Sequence, residues 1–148
     1  TENLPAIAGM AKALRLLLTD EDGKVARERA IKQRIYEHIK SFPKVTIFSQ
    51  PTTGFAPHIL CFTINGVRGE TIVHAFEDQG IYISTTSACS SKKHLASSTL
   101  MAMHVQENIA TSAVRVSLDE NNTLAEADQF IKVFDQLYQK FSKINADA

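Results

Sequence analysis

With 148 residues, 44% of them hydrophobic and 22% charged, the chain has the length and balance of one folded domain around one core, which excludes disordered, collagen-like and disulfide-scaffold classes. Its 16 Lys and Arg offset its 16 Asp and Glu, so no charge excess points to nucleic acid or another polyanionic partner. No apolar run approaches the ~20 residues of a membrane span and no basic leader is expected, while the two cysteines, in unlike surroundings, argue for a reducing cytoplasm rather than a disulfide.

Leu4, Ile7, Ala11, Leu14, Leu17 and Leu18 follow three-and-four spacing after Pro5, which suits a first turn, and predict an amphipathic helix over Leu4–Leu18. The cluster Thr19-Asp20-Glu21-Asp22-Gly23 breaks it. Ile31, Ile35 and Ile39 recur every fourth residue among Arg27, Arg29, Lys32, Arg34 and Lys40. They predict a second helix, or a continuation of the first, over Lys24–Ser41, ended by Pro43. The runs Val45–Phe48 and His58–Ile64 read as two strands separated by the turn-rich stretch Gln50–Pro57. Glu70 to Phe76 gives one more helix, closed at Gly80 by a left-handed turn, and Ile81–Ile83 a third strand.

After the serine-rich stretch Ser84–Ser91, a helix is expected from about Ala96 to Met103 and a fourth strand over Ala113–Leu118. Thr123 and Glu126 stand at capping-box spacing and open a last helix, whose inner face holds Ala127, Phe130, Ile131, Phe134, Leu137, Tyr138 and Phe141. The sum is an α+β fold, with long helices covering one face of a small, mostly antiparallel sheet.

Cys61 lies inside an apolar strand, where cysteine behaves as a small hydrophobe and its thiol pKa rises. Cys89 is the contrast. It stands in Ser84-Thr85-Thr86-Ser87-Ala88-Cys89-Ser90-Ser91-Lys92-Lys93-His94, a stretch with almost no side chain able to anchor it in a core. The cations at Lys92, Lys93 and His94 and an expected helix start beyond them favour the thiolate, which is the nucleophile. On spacing alone, an incidental cysteine on a polar surface loop remains the other reading.

Cys89, His94 and His104 do not form a paired, short-spaced ligand set, so no metal site is expected, and His38, His58 and His74 read as structural. Arg115 sits in the apolar run Ala113-Val114-Arg115-Val116-Ser117. It suits either the solvent face of an edge strand, a structural ion pair, or the grip of a carboxylate by its planar fork.

Ser87-Ala88-Cys89-Ser90-Ser91, preceded by Gly69-Glu70 and by Gly80-Ile81-Tyr82-Ile83-Ser84, resembles the active-cysteine region of cysteine desulfurases of the NifS and IscS type. These are class V aminotransferase-like, pyridoxal-phosphate-dependent enzymes. Thr1-Glu2-Asn3 resembles the family's Gly-Thr-Glu-Asn segment and Val114-Arg115-Val116-Ser117-Leu118 its Val-Arg-Phe-Ser-Leu strand, so ordered motifs cover residues 1–148.

The resemblance implies that the chain is the C-terminal small domain of such an enzyme, a homodimer that takes sulfur from L-cysteine, leaves a persulfide on Cys89, releases alanine and passes the sulfur to an acceptor protein. Arg115 would hold the substrate carboxylate, and Thr1 would reach the phosphate of pyridoxal phosphate in the neighbouring subunit. The cofactor lysine is expected in a large domain, because no Ser-x-His-Lys segment occurs here; the chain alone is therefore expected to be inactive, as part of a longer polypeptide. A non-catalytic sulfur carrier and another class V activity are the alternatives. Thr86 and His104 stand where the family usually has glycine, and Asp119-Glu120-Asn121-Asn122 replaces a common Gly-Arg.

Overall fold

The structure, a computed structural model, describes residues 1–85 and 97–144. Helix α1 spans Leu4–Leu18 as the spacing predicts, with the Asn3 side chain accepting the Ala6 amide at 3.2 Å and Pro5 in the first turn. Thr19 is extended and Asp20 left-handed at φ 56, so the chain breaks before α2, Glu21–Ile39. The second helix is thus separate from the first and begins three residues before the expected Lys24. Ile31, Ile35 and Ile39 are buried on it, and so is Lys32, one of the cations interspersed among them.

Four strands follow: β1 Val45–Ile47, β2 Ile59–Ile64, β3 Ser84–Thr85 and β4 Val114–Ser117, in the spatial order β1-β2-β4-β3. Every pairing is antiparallel. Because β4 lies between β2 and β3, it is an interior strand, which removes the edge-strand reading of Arg115. The register sets Arg115 opposite Cys61 on one side and Ser84 on the other.

The third strand is not Ile81–Ile83, and the reason is local. Helix α3, Gly69–Glu77, closes with the Gly80 amide on the Glu77 carbonyl at 2.9 Å and the Ile81 amide on the Phe76 carbonyl at 3.0 Å. That pair of bonds is the Schellman closure, and Gly80 supplies its left-handed residue at φ 73. The Ile81 amide is committed to the helix end, Tyr82 is exposed, and pairing with β4 starts only at Ser84.

The helix expected near Ala96–Met103 is α4, Ser98–Ala102, and a further four-residue helix, α5, Glu107–Ala110, was not foreseen. Between them His104 takes φ 59, the left-handed conformation that glycine adopts without cost. The last helix, α6, spans Leu124–Ile144. Its capping box forms: the Thr123 amide donates to Glu126 Oε2 at 2.7 Å, and the Glu126 amide to Thr123 Oγ1 at 3.3 Å.

Strand alternation gives the sheet two unlike faces. Leu60, Phe62, Ile64, Val114 and Val116 pack beneath α2, α3 and α6 in the main core, where Phe130 stacks on Phe76 at 4.8 Å and meets Phe62 edge-on at 6.5 Å. On α6, Ala127, Phe130, Phe134, Leu137 and Phe141 are buried as expected, with Val133 added and Ile131 and Tyr138 only half-buried. Cys61, Leu100, Ala110 and Ala113 form a smaller cluster on the opposite face. Helix α1 stands apart: none of its residues is buried, and Leu4 and Met10 are each 70% exposed. Among the described residues, no helix is long and apolar enough to cross a membrane.

Candidate active site

Arg115 is central on β4, flanked by the buried Val114 and Val116, so alternation turns it away from the main core toward the smaller cluster. There it lines a cavity of about 350 Å³ with Phe48, Ser49, Phe55, Ala56, Ile59, Cys61, Ser97, Thr99, Leu100 and Met103. The walls are mostly apolar, and the guanidinium is the one charged group among these residues.

Arg115 Nε is buried and donates to no acceptor among the described residues. No ion pair among the described residues engages the side chain either. A buried N–H on a permanent cation is costly to leave unsatisfied, and two parallel bonds to a planar anion answer that cost best.

Cys61, opposite Arg115, is free and buried, as the sequence led us to expect. Burial pushes its thiol up to about 11, against the opposing pull of the Arg115 charge. At neutral pH it is therefore a neutral neighbour and not a counter-ion. Ser49 Oγ accepts the Cys61 amide at 2.6 Å, tying the end of β1 to β2, and Ser97 Oγ accepts the Leu100 amide at 3.5 Å. Each hydroxyl also carries its own O–H as a donor.

The expected site residues fall in three different places. Arg115 faces the cavity. Thr1 is exposed ahead of α1, and no residue of α1 lines the cavity. Cys89 lies outside the described residues. The described residues on either side of it, however, are near Arg115: Ser84 and Thr85 pair with Arg115 and Val114, and Ser97 lines the cavity wall.

His38, His58 and His74 lie elsewhere. His38 Nε2 is 2.7 Å from Asp135, His74 Nδ1 3.2 Å from Glu77 and His58 Nδ1 4.0 Å from Glu28. Sequence reasoning missed Ser49, Ser97 and Lys32. The first two stand among other serines and threonines with nothing local to single them out. Lys32 did carry a signal, since it follows Ile31 on the buried stripe.

The aminotransferase class-V family model matches residues 1–130. A NifS/IcsS protein homolog from Lactobacillus delbrueckii subsp. bulgaricus is 63% identical over 145 residues, covering 98% of this chain and 38% of that protein. A cysteine desulfurase IscS from Methanosarcina thermophila is 29% identical, covering 98% of this chain and 36% of that protein. Among solved structures, a NifS-like protein from Rickettsia africae superposes with a TM-score of 0.77 at 25% identity, over 94% of this chain and 36% of that one. The chain therefore spans little more than a third of the length of the relatives it matches. It belongs to the aminotransferase class-V family, and its similarity within that family runs to NifS/IscS proteins.

Proposed function

We propose that residues 1–148 are the C-terminal small domain of a pyridoxal-phosphate-dependent cysteine desulfurase, with Cys89 as the sulfur-accepting nucleophile and Arg115 as the holder of the substrate carboxylate. One observation supports this above the others: the strand that precedes the Cys89 segment pairs with β4 at Arg115 through Ser84 and at Val114 through Thr85, and Ser97, which follows the segment, is in the wall of the Arg115 cavity. The covalent chain limits the Cα separation of Thr85 and Cys89 to about 14 Å, so the thiol is tethered within reach of anything the guanidinium grips.

The residues here fit the substrate side of such a site better than cofactor attachment. Lys32, the one lysine buried among the described residues, has its amine on the Ala56 carbonyl at 2.9 Å and does not line the Arg115 cavity. Thr1, exposed ahead of α1, would meet the cofactor phosphate of a partner subunit, which makes the working unit a homodimer. Pyridoxal phosphate, held by a lysine elsewhere in the longer polypeptide, supplies the electron sink that labilises the substrate's carbon–sulfur bond.

The remaining work belongs to this chain. Arg115 orients L-cysteine through two hydrogen bonds to its carboxylate, and the apolar walls keep water from competing for them. The Cys89 thiolate attacks the substrate sulfur; the carbon–sulfur bond breaks, its electron pair stays on carbon and takes up a proton, and alanine leaves. The sulfur remains as a persulfide on Cys89 until an acceptor protein removes it. Cys61, neutral and packed, does not compete for the substrate sulfur.

The test uses the full-length, cofactor-loaded protein with L-cysteine and a reductant, following sulfide and alanine. Cys89→Ser is expected to abolish both while leaving the cofactor absorbance intact. Release at the parental rate in that variant would refute the assignment.

A further inference from the structure

Lys32 is 1% exposed although it lies in a helix with ample solvent face. Burying an ammonium is unfavourable unless something fixes it, and an apolar residue of similar length is often at least as stabilising at such a position. Its partners among the described residues are two adjacent ones, Phe55 and Ala56. Nζ donates to the Ala56 carbonyl at 2.9 Å and stands 5.8 Å from the centroid of the Phe55 ring. No ion pair among the described residues neutralises it, and burial together with the nearby Arg29 charge holds its pKa below the usual lysine value.

Phe55 and Ala56 belong to the connection between β1 and β2, which has no regular structure and little internal bonding beyond the Phe55 amide on the Thr52 carbonyl at 3.1 Å. They are also part of the wall of the Arg115 cavity. Helix α2 packs on the Leu60 and Phe62 face of the sheet, whereas the cavity opens on the Cys61 face. The lysine thus reaches from the helical layer to the wall of a site on the other side.

We propose that Lys32 is a positioning residue for the substrate site, fixing the Phe55–Ala56 wall of the cavity relative to Arg115. The proposal rests on the reading of Arg115 as the carboxylate holder. A wall set by one charged tie keeps water away from the guanidinium and fixes the space beside it; a looser wall weakens carboxylate binding more than it slows the chemistry.

The experiment compares Lys32→Met, Lys32→Arg, Phe55→Ala and Arg115→Ala in the full-length, cofactor-loaded protein. L-alanine binding is measured by calorimetry, alongside kcat and KM for L-cysteine and Tm. Lys32→Met is expected to keep or raise Tm, weaken L-alanine binding about tenfold, raise KM by a similar factor and leave kcat within about twofold, with Lys32→Arg recovering most of the affinity. If Lys32→Met does not fold, Phe55→Ala removes the wall directly and is expected to show the same loss. Parental L-alanine affinity in Lys32→Met, or in Phe55→Ala where the first variant is unfolded, overturns the positioning role while Arg115→Ala still loses binding. Parental affinity in Arg115→Ala overturns the reading of Arg115 itself, and this proposal with it.

Discussion

At Arg115 the decisive feature is a buried Nε with no acceptor among the described residues, beside a cysteine too reluctant to ionise to serve as its counter-ion. Arg115→Ala in the full-length protein is expected to cost about 2 kcal/mol or more of substrate binding, a rise of roughly thirtyfold in KM for L-cysteine. Lys at the same position keeps the charge but loses the fork and is expected to fall between the two. Unchanged kinetics in Arg115→Ala would remove the residue from the site.

Cys61 gives a pH prediction with a definite sign. Its pKa is raised from the ordinary 9.0 to about 11, so the folded state holds the thiol proton more tightly than the unfolded chain does. Its contribution to stability is complete below pH 9.0 and declines as pH rises through the window to about 11. In a Cys89→Ser background, alkylation of Cys61 is expected to be slow at neutral pH and to keep accelerating beyond pH 9; a plateau near pH 8.5 would contradict it. The sequence disclosed the character of Cys61 because an apolar strand leaves a cysteine little choice. It left three readings open for Arg115, since which strands flank β4 is a long-range fact absent from the local pattern.

Among the elements, those with a complete local signal were legible. The spacing of Leu4 to Leu18 located α1 to the residue, and Thr123 with Glu126 located the start of α6. Bonds from the Thr123 amide and hydroxyl hold the Glu126 carboxyl below the usual carboxylate range. The reciprocal cap is therefore intact above the ordinary carboxylate pKa and is lost as pH falls through the depressed one. Thr123→Ala is expected to lower Tm by roughly 2–4 °C, measurable by thermal unfolding at neutral pH. Ile81–Ile83 misled for a physical reason: β-branched residues suit a strand, but the Schellman bond of Ile81 wins the amide first. Lys32 was hidden because a charge on a helix is ordinarily solvated, and only the loop it reaches, 24 positions along the chain, explains its burial.

For the molecule as a whole, the main core is formed by α2, α3, α6 and one sheet face, while α1 contributes no buried residue to it. A lone helix of this length is marginal in water, because most helical stability comes from packing an apolar face. In residues 1–148 alone, amides of α1 are expected to exchange with solvent orders of magnitude faster than those of α6, as read by hydrogen exchange. Equal protection of the two helices would show that α1 is covered. The α+β class was legible because the long helices and short strands each announced themselves; the smaller cluster and its cavity were not, because their residues come from six separate stretches of the chain.

The two-residue strand Ser84–Thr85 has one more implication. Cys89 lies four residues beyond Thr85 along the chain, which bounds their Cα separation to about 14 Å. If Cys89 carries sulfur as proposed, a protein collecting it must bring its own receiving atom inside that distance. On that reading the covalent span is a ruler for the shape of the recipient: a receiving atom on a projecting finger suits it better than one recessed in a broad, flat surface.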